Sequence, residues 1–211
     1  MIKNILIDMG GVIFRQNTAE ACRRFQSIGL NTDVYMGEYG QKDFFLELES
    51  GLIDTDEFCR RLAAIVGRES ISYDEAEYCW LGFIKDVPIK GLHDLLTLRK
   101  DYHLGLLSNT NPFIMGYTRS SRFSEEQLPI THYLDSFYCS YEMGVCKPNR
   151  EIYEIALETG KMKPEETLFV DDSIKNIKAA EEVGIHGLHV NANEDWIALV
   201  INKLKQLNTL K

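Results

Sequence analysis

The residues of this sequence best equipped for chemistry fall at the ends of short apolar runs. Asp8 follows Ile5-Leu6-Ile7 and precedes Met9-Gly10-Gly11; Ser108-Asn109-Thr110-Asn111 follows Leu104-Gly105-Leu106-Leu107. Asp171-Asp172-Ser173 follows Thr167-Leu168-Phe169-Val170, and Lys147-Pro148 lies a few residues beyond a fourth run, Phe137-Tyr138-Cys139-Ser140. Alone, each has a plain structural explanation: Asp8 can cap a turn, Lys147-Pro148 can open a helix, and Asp171-Asp172 can face a helix dipole. Together they supply a carboxylate able to act as a nucleophile, a hydroxyl beside backbone donors, one cation and two further carboxylates. Structural needs alone do not account for that set.

The elements that must position them follow from pattern. Ile2 to Ile7 is nearly all apolar and β-branched, which suits a strand buried on both faces. Helical stripes separate the runs: Leu92, Leu95 and Leu96; Ile152, Ile155 and Ala156, ending near Gly160; and Ile174, Ile177 and Ala180, starting at Ser173 and stopping at Gly184. Strands alternating with helices predict an α/β fold with a parallel sheet covered on both sides. Ligands bind such sheets at the carboxyl ends of the strands, where all four polar clusters fall.

From Asn17 to Val87 the alternation breaks. Asn17 with Glu20, Asp54 with Glu57 and Ser72 with Glu75 have the spacing of helix-start capping pairs, and Phe58, Leu62, Ile65 and Val66 repeat at helical spacing up to Gly67. This predicts an all-helical insertion between the first and second core strands, lying over the site, with Phe44, Phe45, Tyr78 and Trp80 in its interior. The stretch from Asn111 to Asp135 reads as a long connection near the site. His132 lies within it, and a surface role is its simpler reading.

Asp8-Met9-Gly10-Gly11-Val12, Leu107-Ser108-Asn109-Thr110-Asn111, Lys147-Pro148 and Phe169-Val170-Asp171-Asp172-Ser173 resemble the four ordered motifs of the haloacid dehalogenase-like hydrolase superfamily. The resemblance implies a three-layer Rossmann-like core formed by residues 1–16 and 88–211, with residues 17–87 as a helical cap. The first two motifs look most like those of bacterial sugar-1-phosphate phosphatases and of the phosphatase domains fused to some epoxide hydrolases. Carried over residue by residue, the resemblance implies that Asp8 is nucleophile and metal ligand, Ser108 binds phosphate and Lys147 stabilises charge. It likewise implies that Asp172 is the main metal-binding acid with Asp171 its helper, and that Gly10 offers a backbone carbonyl to the metal. Asn109 is expected at the substrate, able to bridge metal, nucleophile and phosphate. Asn176 falls where many relatives carry another acid; an exposed helix asparagine is an equal reading.

Phosphoryl transfer also makes physical sense of the set. A phosphate monoester carries about two negative charges and repels a carboxylate nucleophile unless cations hold them together. Asp171 and Asp172 offer hard oxygen ligands to Mg²⁺, Lys147 adds a compact positive charge, and Ser108 with the amides of Asn109 and Thr110 can donate to phosphoryl oxygens. Asp8 then attacks phosphorus to give an aspartyl-phosphate that water hydrolyses. The expected function is a Mg²⁺-dependent phosphatase for a small phosphorylated metabolite, a sugar phosphate first. A weakly catalytic phospho-ligand-binding or regulatory protein is the alternative, and a metal-independent haloacid dehalogenase is disfavoured by the paired Asp171-Asp172, which would repel an anionic haloacid.

One departure weakens the resemblance. Phosphatases of the family carry a second aspartate two residues after the nucleophile as general acid and base, and here that position is Gly10. Such a group is worth roughly 10²- to 10⁴-fold in rate. Either the substrate has an easier leaving group, or a cap residue delivers the proton, for which Glu38, Lys42 and Glu49 are candidates against an ordinary reading as surface charge, or turnover is inefficient.

Composition narrows the remaining classes. The chain has 211 residues, 45% hydrophobic and 26% charged, which suits one globular α/β core with a modest insertion. Its net charge of −9, with no long Lys/Arg block, argues against a nucleic-acid partner. Five scattered cysteines, with no Cys-x-x-Cys pair, suggest neither a disulfide framework nor structural zinc. Asp8 interrupts the N-terminal apolar run before a signal region can form, and no run approaches membrane-spanning length, so a cytoplasmic, non-membrane protein is expected.

Overall fold

A computed structural model describes residues 1–37 and 40–209. In chain order the elements are β1 (Asn4–Ile7), β2 (Arg15–Gln16), α1 (Thr18–Ser27), α2 (Thr32–Tyr35), β3 (Met36–Gly37), β4 (Gly40–Gln41), α3 (Phe44–Glu49), α4 (Thr55–Ile65) and α5 (Tyr73–Trp80). They continue with β5 (Ile84–Asp86), α6 (Ile89–Leu98), β6 (His103–Ser108), α7 (Pro112–Thr118), β7 (Ser136–Cys139), α8 (Ser140–Met143), α9 (Arg150–Thr159), β8 (Thr167–Asp171), α10 (Ile174–Glu182), β9 (His186–His189) and α11 (Ile197–Thr209).

Five strands form one parallel sheet in the order β7-β6-β1-β8-β9. Because side chains alternate across a strand, the apolar runs serve two layers at once. Ile5 and Ile7 of β1, Leu104 and Leu106 of β6, and Leu168 and Val170 of β8 pack with Leu92 and Leu95 of α6 and Val200 and Leu204 of α11. Leu6, Leu107 and Phe169 point the other way, onto Ile152, Tyr153 and Ala156 of α9 and Ile177 and Ala180 of α10. This is the three-layer Rossmann-like core.

The helical cap is inserted between β1 and β6. Its helices start where side-chain caps allow: the Asn17 side chain accepts from the Glu20 amide at 3.1 Å, Asp54 from Glu57 at 2.8 Å, and Ser72 and Glu75 form a reciprocal capping box. Each such cap contributes about 0.5–2 kcal/mol. At the centre of the cap, the Phe45 ring lies 5.0 Å from Phe25, 4.8 Å from Phe44, 5.0 Å from Phe58 and 5.2 Å from Trp80. Tyr78, expected in this interior, is instead 53% exposed. Two strand pairs too short to leave a periodic signal accompany the helices: the antiparallel ribbon β2–β5 at the neck, and the pair β3–β4 inside the cap.

Three further features depart from the sequence expectations. The connection from Asn111 to Asp135 begins with α7, because the Asn111 side chain accepts from the amides of Phe113 and Ile114 and Pro112 occupies the first helical turn. A fifth strand, β9, extends the sheet edge with the sequence His-Gly-Leu-His, which lacks the β-branched signature. Ile174 is 50% exposed rather than sharing the buried face of Ile177 and Ala180. No helix among the described residues is long and apolar enough to cross a membrane.

Candidate active site

The three central strands, β6, β1 and β8, end side by side, and their carboxyl ends carry Ser108, Asp8 and Asp171. Asp8 continues the ladder with its amide donating to the Val170 carbonyl at 2.9 Å. Its Oδ1 accepts from the Met9 amide at 2.7 Å and lies 3.0 Å from Lys147 Nζ. Both neighbours hold the same oxygen, so Oδ2 is the atom left to react.

Lys147 is the most enclosed ion of the site. Its side chain is 1% exposed, and Nζ donates to Asp171 Oδ2 at 2.7 Å and to the Leu107 carbonyl at 2.9 Å besides meeting Asp8. Burial alone would lower its pKa, but the charges of Asp171 and Asp8 outweigh that and hold the ammonium above its ordinary value. Asp171 is fully buried and uses both oxygens within the protein: Oδ1 accepts from the Ser173 amide at 2.7 Å, and the Asn176 amide nitrogen lies 3.1 Å from each oxygen. Asn176 is thus a partly buried partner of Asp171 rather than an exposed helix residue. Burial raises the Asp171 carboxyl despite the adjacent ammonium.

Asp172 faces the same point with a lighter hold, a 3.4 Å contact from Gln16 Nε2. Burial first, then the charges of Asp8 and Asp171, push its carboxyl up to about 7. Gly11 is what lets it approach: Gly11 has φ +77°, and a Cβ there would lie 2.4 Å from Asp172 Oδ2. Carboxylate oxygens of Asp8, Asp171 and Asp172 lie within 4.8 Å of one another. Fully ionised, the three carboxylates would outnumber the Lys147 ammonium by two charges, an excess that a hard divalent cation would neutralise.

Two sequence expectations change here. The Asn109 side chain does not bridge toward the nucleophile: its Oδ1 accepts from the Lys147 amide at 2.7 Å while its Nδ2 donates to the Lys147 carbonyl at 2.9 Å. The Thr110 amide is not offered to a ligand either, since it donates to Ser140 Oγ at 3.0 Å. Ser108 has only a long contact, 3.4 Å to the Asn109 carbonyl, and its hydroxyl opens onto the cavity above the sheet.

That cavity, of about 130 Å³, lies between core and cap and is lined by Met9, Gly10 and Ser108 from below and by Gln41, Glu49 and Trp80 from above. Among the described residues the buried side-chain polar atoms without a hydrogen-bond partner are Gln41 Oε1, Trp80 Nε1 and Thr110 Oγ1, and all three residues line this cavity. Their sequence contexts hid them; only the docking of the cap on the core gathers them. Of the cap candidates for proton delivery, Glu49 lines the cavity, Lys42 is exposed, and Glu38 lies outside the described residues. His132 is exposed on the surface.

The sequence matches the family described as haloacid dehalogenase-like hydrolase over residues 2–184. It is 41% identical over 197 residues to a D-ribitol-5-phosphate phosphatase of Bacteroides thetaiotaomicron, an alignment that spans 93% of this chain and 95% of that protein. The fold superposes with a TM-score of 0.91 on a predicted HAD-like family hydrolase from Porphyromonas gingivalis, at 36% identity and covering 97% of this chain and 98% of the other. A HAD family enzyme of Bacteroides thetaiotaomicron, solved in complex with magnesium and inorganic phosphate, gives a TM-score of 0.88 at 33% identity, covering 95% and 99%. With the sheet order, the inserted cap and the clustered motif residues, these matches show that the chain belongs to the haloacid dehalogenase-like hydrolases.

Proposed function

We propose that this protein is a Mg²⁺-dependent phosphatase that hydrolyses the phosphate monoester of a small polyhydroxylated metabolite, a sugar or polyol phosphate, through an aspartyl-phosphate on Asp8. The single observation that carries the substrate class is the cavity lined by Trp80, Gln41 and Thr110, three residues that each hold a buried polar atom, Nε1, Oε1 and Oγ1, without a hydrogen-bond partner. An unpartnered buried polar group costs about 1–3 kcal/mol, so a ligand that presents hydroxyls relieves a penalty that an apolar ligand leaves standing. The similarity to a ribitol-phosphate phosphatase supports the same class. At about 130 Å³ the cavity suits a small metabolite.

Asp8, Asp172 and the Gly10 carbonyl would hold the metal ion, with Asp171 adding charge from behind while it fixes Lys147. When bound, Mg²⁺ neutralises the carboxylates and the phosphate so that nucleophile and substrate can meet. Lys147 and the Met9 amide hold Asp8 Oδ1, which leaves Oδ2 to attack phosphorus. The Ser108 hydroxyl and the main chain at Asn109 receive the phosphoryl oxygens. Asn109 clamps the Lys147 backbone, so the ammonium stays where negative charge gathers in the transition state. The cap excludes water and reads the hydroxylated part of the substrate. A metal-independent dehalogenase gains no support from a site that gathers three carboxylates around one ammonium.

The test is hydrolysis of a panel of sugar, polyol, aryl and acyl phosphates by purified protein with Mg²⁺. Hydroxylated substrates should be preferred, and both Asp8→Asn and chelation should abolish turnover. Trp80→Phe, which keeps shape but loses the N–H, should lower kcat/KM roughly three- to tenfold on hydroxylated substrates while sparing p-nitrophenyl phosphate. Wild-type turnover by Asp8→Asn overturns the assignment.

A further inference from the structure

Among the described core residues no side chain beside Asp8 is left to move a proton to the leaving group, Asp172 being assigned to the metal ion. Gly10 has none, the Lys147 ammonium is locked between Asp8, Asp171 and the Leu107 carbonyl, and Asp171 is saturated by its own partners. The cap supplies one. Glu49 ends α3 and enters the cavity it shares with Gly10 and Ser108.

Its backbone is pinned to the core beside the catalytic lysine. Cys146 Sγ contacts the Glu49 carbonyl at 3.5 Å, Ser50 Oγ lies 3.4 Å from the same sulfur, and at Gly51 a Cβ would lie only 2.1 Å from the Tyr141 carbonyl. The end of α3 is thereby pressed onto the loop that delivers Lys147, which fixes where the Glu49 side chain starts. That side chain is also set apart chemically. The neighbouring cap acids Glu20, Glu47, Glu57, Glu75 and Glu77 each pair with an arginine, whereas the Glu49 carboxyl makes no ion pair or side-chain hydrogen bond among the described residues. A partly buried carboxyl facing a cavity, with no partner of its own, is placed for a ligand rather than for stability.

We propose that Glu49 is the general acid and base of this site, doing from the cap what Gly10 cannot do from the core; the inference rests on the phosphatase reading above. As the Asp8 Oδ2–P bond forms and the P–O bond to the substrate breaks, the Glu49 carboxyl gives its proton to the departing oxygen, which leaves as an alcohol. In the second half, water attacks phosphorus and passes a proton to the Glu49 carboxylate. The P–O bond to Asp8 breaks, inorganic phosphate forms, and both carboxyl groups return to their starting states. Burial, with the negative charge of Asp8 adding to it, pushes Glu49 up to about 8, so it begins the cycle protonated near neutrality.

Leaving-group dependence separates a proton donor from a structural residue. With a polyol or sugar phosphate, Glu49→Gln should lower kcat roughly 10²- to 10⁴-fold. With p-nitrophenyl phosphate, whose phenoxide leaves without a proton, the same variant should still release a stoichiometric burst of nitrophenolate, followed by slow turnover as the aspartyl-phosphate waits for a base. Adding Gly10→Asp to Glu49→Gln should restore turnover of the alkyl substrate, because the nearest neighbours of a Cβ at Gly10 are the movable Gln16 side-chain end, at 3.2 Å, and the Phe14 ring, at 3.8 Å. Unchanged turnover in Glu49→Gln, or an equal loss on both substrates with neither burst nor rescue, overturns the role. A wild-type protein inert toward both substrates overturns the phosphatase reading itself.

Discussion

Replacing Lys147 by methionine keeps most of the side-chain volume and removes the charge, which makes the cost of the buried ion cluster measurable. The ammonium is 1% exposed, Asp171 0% and Asp8 13%, so removing the cation strands one carboxylate with no access to water and another with little. Breaking a buried pair from one side costs about 3–5 kcal/mol, and at about 2–4 °C per kcal/mol for a chain of this size Tm should fall by roughly 6–20 °C. The sign with pH follows from Asp171, whose carboxyl is already raised by burial against the pull of Lys147. Without the lysine its folded pKa rises further above the unfolded value. Its contribution is then fully favourable only below the ordinary aspartate range and is lost as pH rises, so the deficit should widen from about pH 5 to about pH 8. Asp171→Asn added to Lys147→Met should recover part of the loss. Thermal unfolding by circular dichroism of the three proteins at both pH values, in chelator, is sufficient. A deficit under about 2 °C at either pH, or no recovery in the double variant, refutes the reasoning.

Gly11→Ala places a Cβ within 2.4 Å of Asp172 Oδ2 at a φ of +77°, so it should cost about 1–2 kcal/mol in stability and raise the Mg²⁺ concentration for half-activity about tenfold or more; an unchanged metal titration contradicts the close-approach role. Because Asp172 is pushed up to about 7 from a reference of 3.8, its metal-free contribution to stability is fully present below about 3.8 and lost as pH rises through about 7. Mg²⁺ should reverse that loss, so its stabilising effect should grow across this window and binding should release protons. Calorimetry in two buffers of different ionisation enthalpy reads the proton release, and equal heats in both count against it.

The core of this arrangement was legible because it is local. Apolar runs that end in Asp8, Ser108 and Asp171 announce both the strands and the residues at their tips, and the three capping pairs announce helices whose first turns they satisfy. What stayed hidden depends on contacts between distant segments. Placing Trp80 in the cap interior says nothing about where its ring N–H ends up, and Gln41 belongs to a two-residue strand with no periodic signal. Asn109 and Thr110 have the residue types of phosphate binders, yet the partners that engage the Asn109 side chain and the Thr110 amide, the Lys147 backbone and Ser140 Oγ, lie 38 and 30 positions away. Among the candidate proton donors, Glu49 lines the cavity and Lys42 is exposed, a difference set by how the cap docks.

The clasp of Asn109 on Lys147 has a consequence for how this chain can vary. One side chain satisfies both the N–H and the C=O of a loop residue, as a neighbouring strand would, so Lys147 is registered to β6 as if it were an extra rung of the sheet. Its height above the sheet is therefore set by that clasp as well as by the chain that leads to it. The same loop meets the cap at Tyr141 and Cys146, so variation that keeps this clasp and the φ of +76° at Gly144 should leave the ammonium in place.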